Sequence, residues 1–243
     1  MQNVTVSEWY GFRRIDFSFC DRNATVVFPR EATEGKKWLF HTEYFGAFPS
    51  FEIEMLERGY HVVFLSNRHR WGDIADIDAK AELCAYLESE YGLAPKCMPV
   101  GMSCGGMIAV YFAAKYPERI AALYLDAPVM NFLSCPGCFG ISTDQSMWQE
   151  FENATGLTKS TLINYRNHPI DHARELVEAK IPLMMIAGDC DHVVPYCENG
   201  QPLTEYYRTN GGVVQEFIKV GCDHHPHGLD DLAPMVEFTK TYY

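Results

Sequence analysis

The stretch "GMSCGG", Gly101 to Gly106, fences one serine with three glycines. A serine hydroxyl is a weak nucleophile until a base takes its proton and a third group orients that base. Set between a strand and a helix, such a serine sits on a sharp turn with φ > 0. Side chains at Gly101 and Gly105 would clash with that turn, and Gly106 lets the following helix approach the sheet. The helix N-terminus and the amide of Cys104 then face the place where an acyl oxygen would become negative. Two later segments supply the remaining group types. "AGDCDHVVP" carries Asp189 and Asp191, and "VGCDHHPHGL" carries His224, His225 and His227. Acyl transfer is the chemistry these residues fit together.

Other residues invite other chemistry. "CPGC", Cys135 to Cys138, has the spacing of a redox pair or half a zinc site. It lacks a strand before it, a helix after it and a second C-x-x-C, so a Pro-Gly turn is the better reading. "DHHPH", Asp223 to His227, offers ligand types for a metal. No H-E-x-x-H accompanies it, and the serine motif accounts for the same loop, so no metal and no cofactor are expected. The thiol of Cys104 follows the serine, but the turn aims Ser103 rather than its neighbour. "NRHRWG", Asn67 to Gly72, is either a solvated loop or a wall of the cleft.

These groups must be positioned by regular elements. "RRIDFSFC" and "NATVVFP" read as strands around the turn Asp21 to Ala24, within a β-rich stretch 1–35. "KKWLFHTEYFGAF" is a buried apolar run ending in a glycine-containing loop. "SFEIEMLERG" has helical spacing and stops at Gly59. "YHVVFLSN" is a continuously apolar strand of the kind found in parallel sheets. From there helices and strands alternate: helix "DIDAKAELCAYLESEYG", strand "KCMPVGMS", helix "CGGMIAVYFAAKYPE", strand "IAALYLDAPV". After an irregular, aromatic stretch at 130–180 come strand "IPLMMIAGD", helix "GQPLTEYYRTNG", strand "VVQEFIKVG" and a closing helix "LDDLAPMVEFTKTYY". The alternation predicts a mostly parallel sheet with helices on both faces. The acid and histidine loops both follow strands, at the carboxyl ends where open sheets bind ligands. The stretch 130–180 is too short to fold alone, so 1–243 reads as one domain with a small cap insertion.

At 243 residues the chain is long enough for a sizeable core. Its net charge of −12 comes from scattered acids, which argues against nucleic acid and anionic membranes as partners. No apolar run reaches the length of a membrane span. "MQNVTVSEWYGFRRIDF" lacks the basic and apolar regions of a secretory leader. Nine cysteines, an odd number, fit reduced thiols better than a disulfide framework. A cytoplasmic location is therefore expected. Oligomeric state stays open, a homo-oligomer included. Most aromatic residues belong to the core, while Tyr44, Phe45, Phe139 and Trp148 are candidates to line an apolar pocket.

Together, "GMSCGG", "AGDCDHVVP" and "VGCDHHPHGL" resemble the α/β-hydrolase superfamily, in its serine esterase, lipase and peptidase branch. The resemblance covers nearly the whole chain and implies the α/β-hydrolase fold. A narrower similarity, in "HTEYFGAF", "LYLDAPV" and "DHHPHGL", is to little-characterised bacterial hydrolases, some linked to carbohydrate esterases. The resemblance implies Ser103 as nucleophile, Asp191 (third after Gly188) as the acid and His224, the first histidine after the last strand, as the base. Asp189 is the competing acid, better suited to capping its turn; His225 and His227 are the competing bases. Two positions depart from the pattern. Asp223 stands where glycine often precedes the histidine, and could compete for His224. His41-Thr42 stands where His-Gly often leads to the second oxyanion donor, which here would be the amide of Glu43 or Tyr44. The expected activity is hydrolysis of a small carboxylic ester, with an amide or peptide hydrolase, or a non-catalytic binding protein on the same scaffold, as alternatives.

Overall fold

The structure, a computed structural model, describes residues 4–243; the first three residues of the stretch read above for a leader lie outside it. In chain order the main elements are β1 (Thr5–Trp9), β2 (Phe12–Phe19), β3 (Arg22–Val27), β4 (Trp38–His41), α1 (Ser50–Glu57), β5 (His61–Leu65), α2 (Ile74–Tyr91), β6 (Met98–Met102) and α3 (Cys104–Lys115). They continue with β7 (Leu123–Asp126), α4 (Trp148–Thr155), α5 (Lys159–Leu162), α6 (Ala173–Glu178), β8 (Leu183–Gly188), α7 (Gly200–Thr209), β9 (Val214–Lys219) and α8 (Ala233–Tyr242). Among the described residues no helix is long and apolar enough to cross a membrane.

One nine-stranded sheet runs in the order β1-β2-β3-β5-β4-β6-β7-β8-β9. Its first three strands form an antiparallel meander, joined antiparallel to β5. From β5 through β4, β6, β7 and β8 to β9 every pairing is parallel. Strand β1 was not foreseen as separate. It is an exposed edge, so its residues show no apolar alternation. By contrast β6, β7 and β8 are buried along their whole length, which is why they read as unbroken apolar runs.

Two cores cover the two faces. Helices α1 and α8 place Phe51, Met55, Met235 and Phe238 against one face. Helices α2, α3, α6 and α7 place Leu83, Phe112, Leu176 and Leu203 against the other. The rings of Phe40 and Phe112 meet edge to face at 5.8 Å; truncating a buried ring of this kind costs about 3–5 kcal/mol. Local signals set the ends of α2. Asp73 caps it by accepting from the Ala75 amide at 2.8 Å, and Gly92 ends it at φ +64°.

The stretch between β7 and β8 divides in two. Phe132, Cys135, Met147, Phe151 and Leu162 form a third apolar cluster with Trp71 and Met107. Ala173 and Leu176 instead rejoin the core beneath the sheet face that carries α3. Only the earlier part therefore lies over the ends of the strands.

Candidate active site

Strand β6 ends in the turn that holds Ser103 at φ 51°, ψ −121°, a strained conformation for a residue with a side chain. The glycines are needed for contact. A Cβ on Gly101 would lie 2.6 Å from the Gly105 oxygen, and one on Gly106 would lie 2.4 Å from Pro128 Cβ. The turn is anchored by the Ser103 amide, which donates to the Asp126 main-chain oxygen at 2.9 Å, and by the Ser103 oxygen, which accepts from the Val129 amide at 3.0 Å.

Two loops, after β8 and β9, bring the other groups to it. His224 Nε2 lies 3.1 Å from Ser103 Oγ, and His224 Nδ1 lies 2.7 Å from Asp191 Oδ2. All three residues are under 9% exposed. The other Asp191 oxygen accepts from the amides of Val193 (2.9 Å) and Val194 (2.7 Å), so the carboxylate is fixed in place before it meets the imidazole. That geometry makes Nδ1 the protonated nitrogen and leaves the Nε2 lone pair facing the serine.

The competing groups have other work. Asp189 accepts from the Gly221 amide at 2.6 Å, tying the acid loop to the histidine loop. Asp223 accepts from the amides of His192 (3.0 Å) and His224 (2.7 Å). Those amides hold its carboxyl below the usual range, and it makes no bond to an imidazole. His227 Nδ1 lies 2.8 Å from Asp126 Oδ1, and the second Asp126 oxygen accepts from the Gly228 amide at 2.6 Å and the Tyr124 hydroxyl at 3.0 Å. His225 lies at the mouth, where burial and the neighbouring imidazoles lower its basicity. Cys104 is fully buried, and burial pushes its thiol up to about 11, so it is a protonated packing group.

The loop after β4 sits against the first turn of α3. Gly105 has no Cβ where Glu43 N would be 3.4 Å away. Thr42 Oγ1 donates to the Gly105 oxygen at 2.7 Å and contacts the Val100 oxygen at 3.1 Å. Tyr44 has φ 59°. Asn67 holds this loop from below, donating to the Thr42 oxygen at 2.8 Å and to the Glu43 carboxylate, while it accepts from Lys80. Lys80 is fully buried, and burial pulls its ammonium down to about 8. Thr42 and Asn67 were named only as parts of their loops, and Lys80 and Asp126 went unremarked in the sequence. Of the last two only Asp126 left a trace there, as a carboxylate ending an otherwise apolar buried strand.

Above Ser103 opens a cavity of about 410 Å³ whose walls include Tyr44, Phe48, Arg70, Met147 and Val193. Of the four aromatic residues expected there, Tyr44 is in place. Phe45 turns the other way and stacks on Trp9 (5.2 Å) and Phe64 (5.4 Å). Phe139 is exposed, beside Lys159. Trp148 packs on Phe151 in the third apolar cluster. None of these three reaches the cavity lining. The "NRHRWG" loop does contribute a wall. Arg70 lines the cavity and pairs with Glu150 of α4, while Trp71 donates to the same carboxylate at 3.0 Å. In "CPGC" both cysteines are free thiols, and burial raises that of Cys135 well above its usual value.

The parallel sheet, the strained serine between β6 and α3, and acid and histidine on the loops after β8 and β9 define the α/β-hydrolase fold, as the three motifs implied. Residues 66–151 match a family model described as alpha/beta hydrolase fold. The acylamino-acid-releasing enzyme of Sus scrofa is 24% identical over 191 residues, 69% of this chain and 24% of that protein. The chain thus spans about a quarter of that curated relative. Among solved structures, a truncated carbohydrate esterase from gut microbiota superposes with a TM-score of 0.66 at 15% identity, covering 90% of each chain. An S-formylglutathione hydrolase from Agrobacterium tumefaciens gives 0.62 at 15% identity, covering 92% of each. Dipeptidyl peptidase 4 of Porphyromonas gingivalis gives 0.64 at 13%, covering 99% of this chain and 34% of that one. These likenesses establish the fold.

Proposed function

We propose that the chain is a serine hydrolase that cleaves a small carboxylic ester through an acyl-enzyme. The carrying observation is the continuous line from Ser103 Oγ through His224 to Asp191, at 3.1 Å and 2.7 Å, on a turn that holds the serine in a strained conformation. Ser103 Oγ attacks the carbonyl carbon as His224 Nε2 takes its proton. Asp191 keeps the imidazole in the required tautomer and stabilises the imidazolium. The amide of Cys104, and that of Glu43 or Tyr44, face the oxyanion; each such donor is worth roughly 3–4 kcal/mol. His224 then protonates the leaving alcohol, and water clears the acyl group by the same route. No cofactor enters these steps. The cavity, about 410 Å³, suits a ligand of modest size, and the part of 130–180 lying over the strands acts as its cap.

A second reading, hydrolysis of an acyl-amide or peptide, is favoured by the likeness to an acylamino-acid-releasing enzyme. The test is a fluorophosphonate probe with intact mass as readout. One adduct on the wild type, lost in Ser103→Ala and His224→Ala, supports the hydrolase. Matched ester and anilide substrates then separate the two readings. No adduct on the folded wild type would leave a binding protein on a hydrolase scaffold.

A further inference from the structure

The loop after β9 carries more histidine than one triad uses. The rings of His224, His225 and His227 stand at the corners of a near-equilateral triangle, with centroids 4.8, 4.9 and 5.1 Å apart. One nitrogen from each lies within 4.8 Å of the other two. Two of these imidazoles are already dressed as metal ligands. His224 and His227 each direct Nδ1 at a fully buried carboxylate, Asp191 at 2.7 Å and Asp126 at 2.8 Å. A carboxylate behind a histidine fixes its tautomer and turns the Nε2 lone pair outward; metal-bound histidines almost always donate their other ring N–H to a carboxylate, a backbone carbonyl or a water. The triad needs one histidine–carboxylate pair, and the second has no step in the mechanism above.

We infer that His224, His225 and His227 form a binding site for a divalent transition-metal ion of the zinc type, and that an ion held there switches the hydrolase off. Zinc–nitrogen bonds of about 2.0–2.1 Å in a tetrahedron bring ligand nitrogens to roughly 3.3 Å apart. The cluster must therefore contract by about an ångström or more. His225 is the ring free to supply that movement, being exposed at the cavity mouth with Phe48 stacked on it at 5.4 Å. A water molecule or Ser103 Oγ can complete the tetrahedron. The carboxylates of Asp191 and Asp126 behind the rings favour a cation electrostatically. Once the Nε2 lone pair of His224 is donated to a metal it cannot take the serine proton, so bound ion and catalysis exclude one another. The inhibitory part of this inference rests on the serine-hydrolase reading; the binding part does not.

The experiment is calorimetric titration with zinc chloride alone, after alkylation of exposed thiols so that cysteines do not compete. Wild type and Ser103→Ala are both expected to bind one equivalent. The affinity should fall in His225→Ala and in His227→Gln by more than the roughly 10–100-fold that loss of a ligand's hydrogen-bonding partner costs, since each removes a ligand outright. His225→Ala changes an exposed residue and keeps the test meaningful if His227→Gln fails to fold. Cobalt(II) should give the visible absorption of a tetrahedral site in wild type and lose it in His225→Ala. Absence of zinc binding, or binding equal in wild type and both histidine variants, overturns the site. Fluorophosphonate labelling is then run with and without zinc. Labelling blocked by zinc and restored by a chelator supports the switch, and labelling unaffected by saturating zinc overturns it. Failure to label in the absence of zinc counts against the hydrolase reading and leaves the titration to decide the site.

Discussion

The Ser103 amide donates to the main-chain oxygen of Asp126 at 2.9 Å. The carboxylate of that same aspartate holds His227 and the Gly228 amide. One residue at the end of β7 thus fixes the serine turn on one side and the histidine loop on the other. Asp126→Ala leaves the buried His227 imidazole nitrogen, the buried Tyr124 hydroxyl and the half-buried Gly228 amide without this partner, at about 1–3 kcal/mol for each buried group. Unfolding by denaturant should show a loss of roughly 2–5 kcal/mol, and fluorophosphonate labelling should slow because the His224 loop loses its anchor.

Asp191→Asn separates geometry from chemistry. The amide oxygen can still accept from Val193 and Val194, so the turn stays. The amide nitrogen then faces His224 Nδ1, which must become an acceptor, and Nε2 carries the proton. A protonated Nε2 cannot take one from Ser103. Turnover should fall by about 10⁴-fold, the size seen for the same change in a serine protease, with the melting temperature nearly unchanged.

Gly106→Ala tests the close approach at the turn. The new Cβ would lie 2.4 Å from Pro128 Cβ and 2.9 Å from its Cα, a contact that forces α3 or the loop after β7 to move. Overpacking of this kind costs about 1–3 kcal/mol. Stability by denaturant and labelling rate should fall together. A variant of wild-type stability and rate would mean the turn has room the geometry denies.

Asn67→Ala tests the support beneath the loop proposed to carry the second oxyanion amide. It removes the donor to Thr42 and Glu43 and the acceptor for Lys80. Misplacing an oxyanion donor should cost less than the ~10²–10³-fold in kcat lost when one is deleted. A fall in kcat of roughly tenfold with KM little changed is expected in steady-state kinetics. Loss confined to KM would place Asn67 in substrate binding instead.

His61 sets a pH dependence of stability away from the site. Burial pushes its imidazole from 6.5 down to about 4 in the fold. Between those values the unfolded chain holds a proton that the folded chain does not, so stability rises with pH across that window and is lost as pH falls from 6.5 through 4. His61→Leu removes this contribution. The melting temperature of wild type should drop relative to the variant on going from pH 6.5 to 4, and parallel curves would refute the assignment.

The parallel half of the fold was legible in the sequence because β6, β7 and β8 are buried along their length and read as apolar runs, broken only where Asp126 ends β7. The serine turn was legible too, since a chain that bends sharply at a strand–helix junction needs glycine where backbone meets backbone, at Gly101 and Gly106. Spacing alone left Asp189 beside Asp191, and His225 and His227 beside His224. Both aspartates lie on one turn, and only the path of β9 next to β8 decided that Asp189 would cap Gly221 while Asp191 met an imidazole. Phe45, Phe139 and Trp148 could not be sorted from Tyr44 by composition, because the direction of a side chain depends on the backbone angle at its neighbour and on what packs behind it. Asp126 and His227 are about a hundred residues apart in the chain and 2.8 Å apart in space. Local physics wrote the strands, helices and turns into the sequence; which polar groups share a buried partner follows from strand order, a relation between distant segments.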